Sequence, residues 1–289
     1  MTEHRHMDLL RPPGIDRLPR HRIRLEAACA AASEHEGVVG MIIGGSFASG
    51  EADAYSDLDL QLVVEEPAFD GVVSAVPDIA AAAGPLVAAF TAEHVGRPHM
   101  LIALYSDLLH VDFEPVALPE VAARNAGIPA VVLWARDDRI DLALPAERPP
   151  FDPARELAWL EDRMWTWSWY IQSKILRGEL YEALDALQFV RDRVLFGLLS
   201  LRDGHRPIGA RRAEARVGAW AERFAATVPA LSRESTLSAL RTTVGLYTEL
   251  ADPLLDEHGI ARSDTARDVV GRALDTGLDW RPAQSGPRP

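Results

Sequence analysis

The feature that most constrains the fold is a short segment in which an apolar run, two glycines and an alternating acidic run follow one another. Val38 to Ile43 is apolar and is closed by Gly44 and Gly45, a pattern that favours a buried strand over a helix. From Asp57 onward polar and apolar residues alternate strictly, which is typical of a strand with one face in the core. Two strands joined across a tight glycine turn are therefore predicted.

The alternating strand carries two carboxylates on one face. Asp57 and Asp59 are two positions apart, so both side chains leave the strand in the same direction. Like charges this close repel unless a cation lies between them, and such hard oxygen ligands suit Mg²⁺ with phosphate oxygens completing the shell. Because Gly44 and Gly45 have no side chains, backbone N–H groups near Ser46 are predicted to hold an anionic phosphate.

A second alternating segment, Leu109 to Val116, supplies a third carboxylate. Its polar face places Asp112 where it can join Asp57 and Asp59 from a neighbouring strand. Asp112 then shares a metal ion, takes the proton from an acceptor hydroxyl, or does both. Two ions about 4 Å apart would clamp the entering and leaving oxygens of an in-line displacement. From spacing alone, an amphipathic strand with an acidic outer face explains the pattern equally well.

These residues resemble the polymerase-β-like nucleotidyltransferases, whose pattern is Gly45-Ser46, a spacer, Asp57-x-Asp59 and a later strand carboxylate. A longer match resembles the small-molecule antibiotic nucleotidyltransferases, the B-type lincosamide and the aminoglycoside resistance enzymes, over Gly45-Ser46-Phe47-x-x-Gly50-Glu51-x-x-x-Tyr55-Ser56-Asp57. The resemblance implies that Ser46 hydrogen-bonds a phosphate, with Gly45 giving room, and that Asp112 is the general base. Many relatives carry Glu there, so Asp112 departs from the pattern and shortens the reach by one methylene.

Composition limits the class of protein. The 289 residues, 48% of them hydrophobic, suffice for about two domains, and a net charge of −13 with no visible basic stripe disfavours a nucleic-acid substrate. Cys29 is the single cysteine, which excludes an intrachain disulfide and a Cys-based zinc site. No apolar run approaches the roughly 20 residues that span a bilayer, and the N-terminus lacks the apolar stretch of a signal peptide. A cytoplasmic enzyme without a membrane partner is predicted.

The two halves of the chain differ in pattern. Strands dominate the first half, while helical periodicity runs through the second, beginning at the Asp152-Pro153 helix start. Proline is dense from Pro145 to Pro153, which indicates a domain boundary. We therefore predict an α+β protein with a nucleotidyltransferase domain at 1–148, built on a mixed sheet with flanking helices, and an all-helical domain at 149–289.

The first helix of the second half carries a basic and aromatic stripe, made of Arg163, Trp167, Tyr170, Lys174 and Arg177. Such a stripe suits a triphosphate and a flat ring, although aromatic stripes are usually core and basic ends are usually solvated. The stretch around Lys174, followed by Arg177-Gly178-Glu179, is similar to the helix hairpin of the lincosamide-type enzymes. That similarity implies Lys174 as a nucleotide contact.

The predicted function is Mg²⁺-dependent transfer of a nucleoside monophosphate, AMP from ATP or the equivalent from another NTP, to a hydroxyl of a small molecule, with release of pyrophosphate. The resemblance implies an aminoglycoside or lincosamide as acceptor, and a monomer or homodimer is expected. One alternative is AMP transfer to a protein hydroxyl. Another is a nucleotide-binding regulator or antitoxin-like protein without turnover. The complete carboxylate set argues against lost turnover, and the helical half argues against the minimal single-domain versions.

Overall fold

The computed structural model describes residues 9–142 and 151–282. The chain divides into two compact units between Pro150 and Phe151, and each unit has an apolar core of its own. Most of the proline-rich segment from Pro145 to Pro153 lies outside the described residues. The predicted fold class, a mixed sheet with flanking helices followed by helices alone, is confirmed.

Among its described residues, the first unit has six strands and four helices, with short 3₁₀ turns at Ile15–Arg17, Glu66–Ala68, Glu93–Val95 and Leu118–Glu120. In chain order the elements are α1 (Pro19–Ser33), β1 (Val38–Ile43), α2 (Gly45–Ser49), β2 (Leu58–Val64), α3 (Phe69–Ala82), β3 (Leu86–Ala92), β4 (Arg97–Tyr105), β5 (His110–Ala117), α4 (Val121–Asn125) and β6 (Val131–Ala135).

The six strands form one sheet in the order β3-β4-β5-β2-β1-β6. β2 and β5 pair in parallel, and the other four neighbouring pairs are antiparallel. Burial alternates along the first part of β2 and β5, as period two requires when one face packs on the core. The residues of the buried face belong to the same apolar cluster as those of α1 and α3. The opposite face carries the polar residues of β2 and β5.

The predicted glycine turn is a single turn of helix, α2. Gly50 has a φ of 75° and ends that helix in the left-handed conformation that glycine tolerates best. Five residues are too few for a helical period to show in a sequence, so the glycines at both ends favoured a turn. Gly45 and Ser46, predicted as turn residues, are the first two residues of α2.

The second unit contains only helices among its described residues. They are α5 (Pro153–Arg177), α6 (Leu180–Val190), a π-helical segment (Arg191–Leu195), α7 (Phe196–Arg202), α8 (Ala213–Val217), α9 (Ala221–Ala225), α10 (Arg233–Glu257) and α11 (Asp264–Thr276), with 3₁₀ turns at Gly218–Trp220 and Gly277–Asp279. Nowhere in the described ranges is a helix both long and apolar enough to cross a membrane.

The ends of the long helices follow local chemistry. Asp152 caps α5 by accepting a hydrogen bond from the Arg155 N–H at 3.0 Å, and Gly178, at a φ of 79°, ends it. Ser232 caps α10 in the same way. The helical path from Ala213 to Ala225 is interrupted, because Gly218 takes a φ of 51° between α8 and α9.

Candidate active site

Two of the three predicted carboxylates lie side by side at the centre of the sheet. Asp59 on β2 and Asp112 on β5 are paired in the parallel register, so their side chains project from the same face. Asp57 lies one residue before β2 begins, and all three are half-buried. Sequence separation hides this arrangement, because β3 and β4 lie between the two strands in the chain and to one side of them in the sheet.

His110 marks where the three charges meet. Its Nε2 lies 3.0 Å from Asp112 Oδ1. The Asp112 carboxylate, reinforced by the charges of Asp57 and Asp59, raises the pKa of His110 above its ordinary value, against the opposing effect of burial. The contact of His110 with Asp112 follows from their spacing of two along one strand face.

Gly45 fits against the carboxylate of Asp59 with no space for a side chain. A Cβ at position 45 would lie 1.9 Å from Asp59 Oδ2, and the backbone has a φ of 58° there. The adjacent Gly44 N–H donates to the Asp59 carbonyl oxygen at 2.9 Å. Glycine is therefore required at 45 both by the backbone conformation and by the carboxylate beside it.

Ser46 places a buried hydroxyl at the same corner. The residue is 9% exposed, and its Oγ has no hydrogen-bond partner among the residues that the structure describes. Buried polar atoms are nearly always satisfied, so an unsatisfied one calls for an explanation. A hydroxyl left without a protein partner beside Gly45 and Asp59 suits an oxygen-rich ligand such as a phosphate.

The residues can hold a divalent cation only together with a ligand. Within residues 9–142 and 151–282, no group of three or more His, Cys, Asp or Glu side chains could hold a metal ion. Mg²⁺ is usually bound by one or two carboxylates, with waters and substrate phosphates filling the other positions, rather than by a cage of protein ligands. Asp57 and Asp59 with a bound triphosphate would fit that description, and the role of Asp112 as a third ligand stays a prediction.

The next polar row on this face is already neutralised. Glu114 contacts Arg124 at 2.8 Å and Arg97 at 3.5 Å, so its charge is compensated twice. Gln61 exchanges two hydrogen bonds with Asn125, at 3.0 and 2.9 Å. The alternation predicted that Glu114 faces outward with Asp112, but its basic partners come from β4 and α4 and carry no sequence signal. The charge of Glu114 is therefore neutralised by its own basic partners, and Glu114 is not part of the Asp112 site.

Lys174 lies in the second unit and is held between two carboxylates. Its Nζ is 2.9 Å from Glu179 and 2.9 Å from Glu182, and its pKa is raised by those two contacts. The ammonium also lies over the Tyr170 ring, 5.1 Å from its centroid. Of the predicted stripe, Trp167 packs against the helical core rather than standing open. Lys174 thus ties α5 to α6 in the structure as it stands.

Part of the chain matches the model of a known protein family. Residues 25–165 match the family model described as nucleotidyltransferase domain. Two solved structures align at low similarity: an aminoglycoside 6-adenyltransferase from Bacillus subtilis (14% identity, 88% of this chain and 97% of that chain, TM-score 0.42) and a nucleotidyltransferase-like protein from Exiguobacterium sibiricum 255-15 (13%, 92% and 90%, TM-score 0.35). At these TM-scores neither alignment supports an argument about fold or activity. No curated protein matches the chain.

Proposed function

Because residues 25–165 match the model of the nucleotidyltransferase domain family, we propose that the protein transfers a nucleoside monophosphate, AMP from ATP, to a hydroxyl of a small molecule and releases pyrophosphate. The single observation that carries the proposal is the pairing of Asp59 with Asp112 on parallel strands beside the Gly45 contact. That pairing supports the proposal because it brings the carboxylates proposed as metal ligand and as proton acceptor to one face of the sheet.

Each side chain has a part in the proposed reaction. Asp57 and Asp59 would hold Mg²⁺, which when bound neutralises the charge of the triphosphate and polarises the phosphorus that is attacked. Ser46 would donate its unsatisfied hydroxyl to a phosphate oxygen, with Gly45 giving the close approach. Asp112 would accept the proton of the acceptor hydroxyl as that oxygen attacks the α-phosphorus, and pyrophosphate would leave on the opposite side.

Lys174 enters the proposal as a nucleotide contact that must first change partners. The charge of an ammonium held by Glu179 and Glu182 is already compensated, which makes it less available to a triphosphate. Release of one carboxylate would free the ammonium as a point cation for phosphate oxygens. The support for this step is the similarity of the helix hairpin to the lincosamide-type enzymes.

A small-molecule acceptor is proposed from the longer motif between Gly45 and Asp57, which resembles the antibiotic nucleotidyltransferases. The net charge of −13 agrees with an acceptor that is not a nucleic acid. A lincosamide or an aminoglycoside is the acceptor class that this resemblance favours, and the Mg²⁺ and ATP requirements are part of the same proposal.

The test is incubation with ATP, Mg²⁺ and a panel of hydroxylated antibiotics, with pyrophosphate release and product mass as the readouts. Asp59→Asn is expected to lower kcat/KM by roughly 1,000-fold or more, since it removes a metal ligand. Asp78→Asn, an exposed change of the same charge on α3, is the matched control and should leave the rate unchanged. Chelation by EDTA should stop release in both the wild type and the control.

Three results would contradict this proposal. Tight ATP binding without product from any acceptor would assign the protein to nucleotide-binding regulators. Label transferred from ATP only to added protein would assign it to protein-hydroxyl AMP transferases. Full activity of the Asp59→Asn variant would remove the carboxylates from the chemistry.

A further inference from the structure

We propose that the acceptor lies with an apolar face against an uncharged strip of the sheet next to Asp112, which makes the acceptor an amphipathic hydroxyl compound rather than a polycation. The acceptor strip consists of Ala88 and Phe90 on β3 with Ile102 and Leu104 on β4. This inference rests on the proposed nucleotidyl transfer and specifies its second substrate.

The register of the sheet places the acceptor strip beside the proposed base. Asp112 pairs with Ile102, and Ile102 pairs in turn with Phe90. In the next row, His110 pairs with Leu104, and Leu104 with Ala88. Directly paired residues project to the same face of a sheet, so these apolar side chains extend outward from the face that bears Asp112. A compound whose hydroxyl reaches Asp112 from the β3 edge of the sheet therefore passes over them.

The acceptor strip is open, whereas the other face of β4 is filled. Leu101, Ala103 and Tyr105 of β4 are buried in the core cluster. Ile102 and Leu104 are only half-buried, and Phe90 is 53% exposed. Exposed apolar residues that form a contiguous patch mark binding sites more often than singly scattered ones do.

The edge strand β3 lacks the features that usually protect such an edge. Residues Leu86 to Ala92 include no charged residue and no proline, although edge strands commonly carry both to prevent pairing with other chains. His94 lies beyond the strand with its ring centroid 6.0 Å from that of Phe90, which extends the aromatic surface. An apolar binding surface beside Asp112 explains why β3 carries no charged residue.

The charges around the acceptor strip decide what kind of acceptor it can take. A protein that binds an aminoglycoside pairs its ammonium groups with carboxylates. Each ammonium group that is buried on binding needs such a partner. Glu114, the acidic residue next along β5, is already paired with Arg97 and Arg124. Asp57 and Asp59 are assigned to the cation that carries the nucleotide. Several ammonium groups laid over Phe90 and Ile102 would therefore be desolvated without partners.

Adjacent alanines on β3 give a matched test. Ala88 and Ala89 are both exposed, but Ala88 shares the face of Asp112 while Ala89 projects to the opposite face. Ala88→Glu and Ala89→Glu therefore introduce the same charge into the same strand on opposite faces. The probes are lincomycin, a sugar with an apolar substituent, and the polycation kanamycin. Binding is measured by calorimetry with Mg²⁺ and a non-hydrolysable ATP analogue present, and transfer by pyrophosphate release.

We expect wild-type protein to bind lincomycin more tightly than kanamycin. Ala88→Glu should raise the Kd for lincomycin about 10-fold or more, and Ala89→Glu should change it less than about twofold. Neither variant should alter the Kd for the ATP analogue or the far-ultraviolet circular dichroism spectrum. Phe90→Ala, which adds no charge, should weaken lincomycin binding in the same direction.

Other outcomes would contradict the proposal that the acceptor strip binds the acceptor. These are tighter binding of kanamycin than of lincomycin, no binding of lincomycin, or equal effects of Ala88→Glu and Ala89→Glu. A wild-type dimer that dissociates in both variants would assign β3 to a second copy of the chain instead. Binding of lincomycin that depends on Ala88 but yields no pyrophosphate would retain the acceptor strip and contradict the transfer reaction, so the two proposals fail separately.

Discussion

At the scale of single residues, the site depends on the contact between the backbone of Gly45 and the carboxylate of Asp59. A Cβ at position 45 would lie 1.9 Å from Oδ2, so the carboxylate must move if any side chain is added. Gly50, at the other end of α2, has a φ of 75°. A Cβ added at Gly50 would have the Pro13 Cβ as its nearest neighbour, at 3.8 Å. The two glycines thus share a backbone strain but differ in what surrounds them.

Gly45→Ala is expected to abolish activity, while Gly50→Ala is expected to leave it within about threefold of wild type. Both variants should lose about 1–2 kcal/mol in the free energy of unfolding, because alanine is strained in the left-handed region. Urea unfolding and steady-state kinetics measure the two effects independently. Equal activity of the two variants would show that the position of Asp59 is not critical.

Ser46 gives a prediction of the opposite kind, because its hydroxyl is buried without a partner among the described residues. Ser46→Ala should leave the free energy of unfolding unchanged or raise it by up to about 1 kcal/mol, since an unsatisfied buried group is removed. The KM for ATP should rise about 10-fold, because a phosphate loses a donor. Ser49→Ala is the control, as Ser49 donates to Ser46 O at 3.2 Å and lies toward solvent. A stability loss without a change in KM would assign Ser46 to the fold.

At the scale of elements, the α5–α6 hairpin has two interpretations from the sequence: Lys174 contacts the nucleotide, or it is an ordinary solvated side chain. The structure adds that Lys174 is already paired with carboxylates. Lys174 bridges Glu179 and Glu182, one from the connection and one from the first turn of α6. The bridge is partly exposed, with the Glu182 side chain 48% accessible, so its contribution to stability is small.

Lys174→Gln is expected to raise the KM for ATP about 10-fold with little change in melting temperature. Arg177→Gln is the matched control, because Arg177 lies one turn further along α5 and also pairs with Glu179, at 2.8 Å. Kinetics over a range of ATP concentrations and a thermal melt are sufficient. An unchanged KM with a lowered melting temperature would make Lys174 a structural link between the two helices.

Elements with a strong local signal could be predicted from the sequence. Strand β2 follows from its alternation, and the ends of α5 follow from Asp152 and Gly178. Elements that depend on tertiary context could not. The π-helical segment from Arg191 to Leu195 has no distinctive composition, and α2 is too short for a period to show. Likewise, Asp57, Asp59 and Asp112 could be proposed from spacing, whereas the apolar residues beside Asp112 emerge only from pairing between strands.

At the scale of the whole molecule, charge separates the possible partners. The chain has 43 acidic against 30 basic side chains, for a net charge of −13. A protein that binds nucleic acid through its phosphates releases counterions with each basic contact, and such contacts need a concentrated basic surface. We expect no retention on heparin at about 0.15 M salt and no mobility shift of duplex DNA or of tRNA. Salt-dependent binding to either nucleic acid would contradict a small-molecule acceptor.

The parallel pairing of β2 with β5 has a consequence for the order in which the protein folds. Asp59 and Asp112 become neighbours only after roughly fifty intervening residues have folded back as the β3–β4 hairpin at one side of the sheet. Contacts between positions so distant along a chain form late, because the closing segment must first lose its freedom. A nascent or refolding molecule should therefore acquire its helices well before it can catalyse anything, and the onset of turnover would report the moment at which the centre of the sheet is complete.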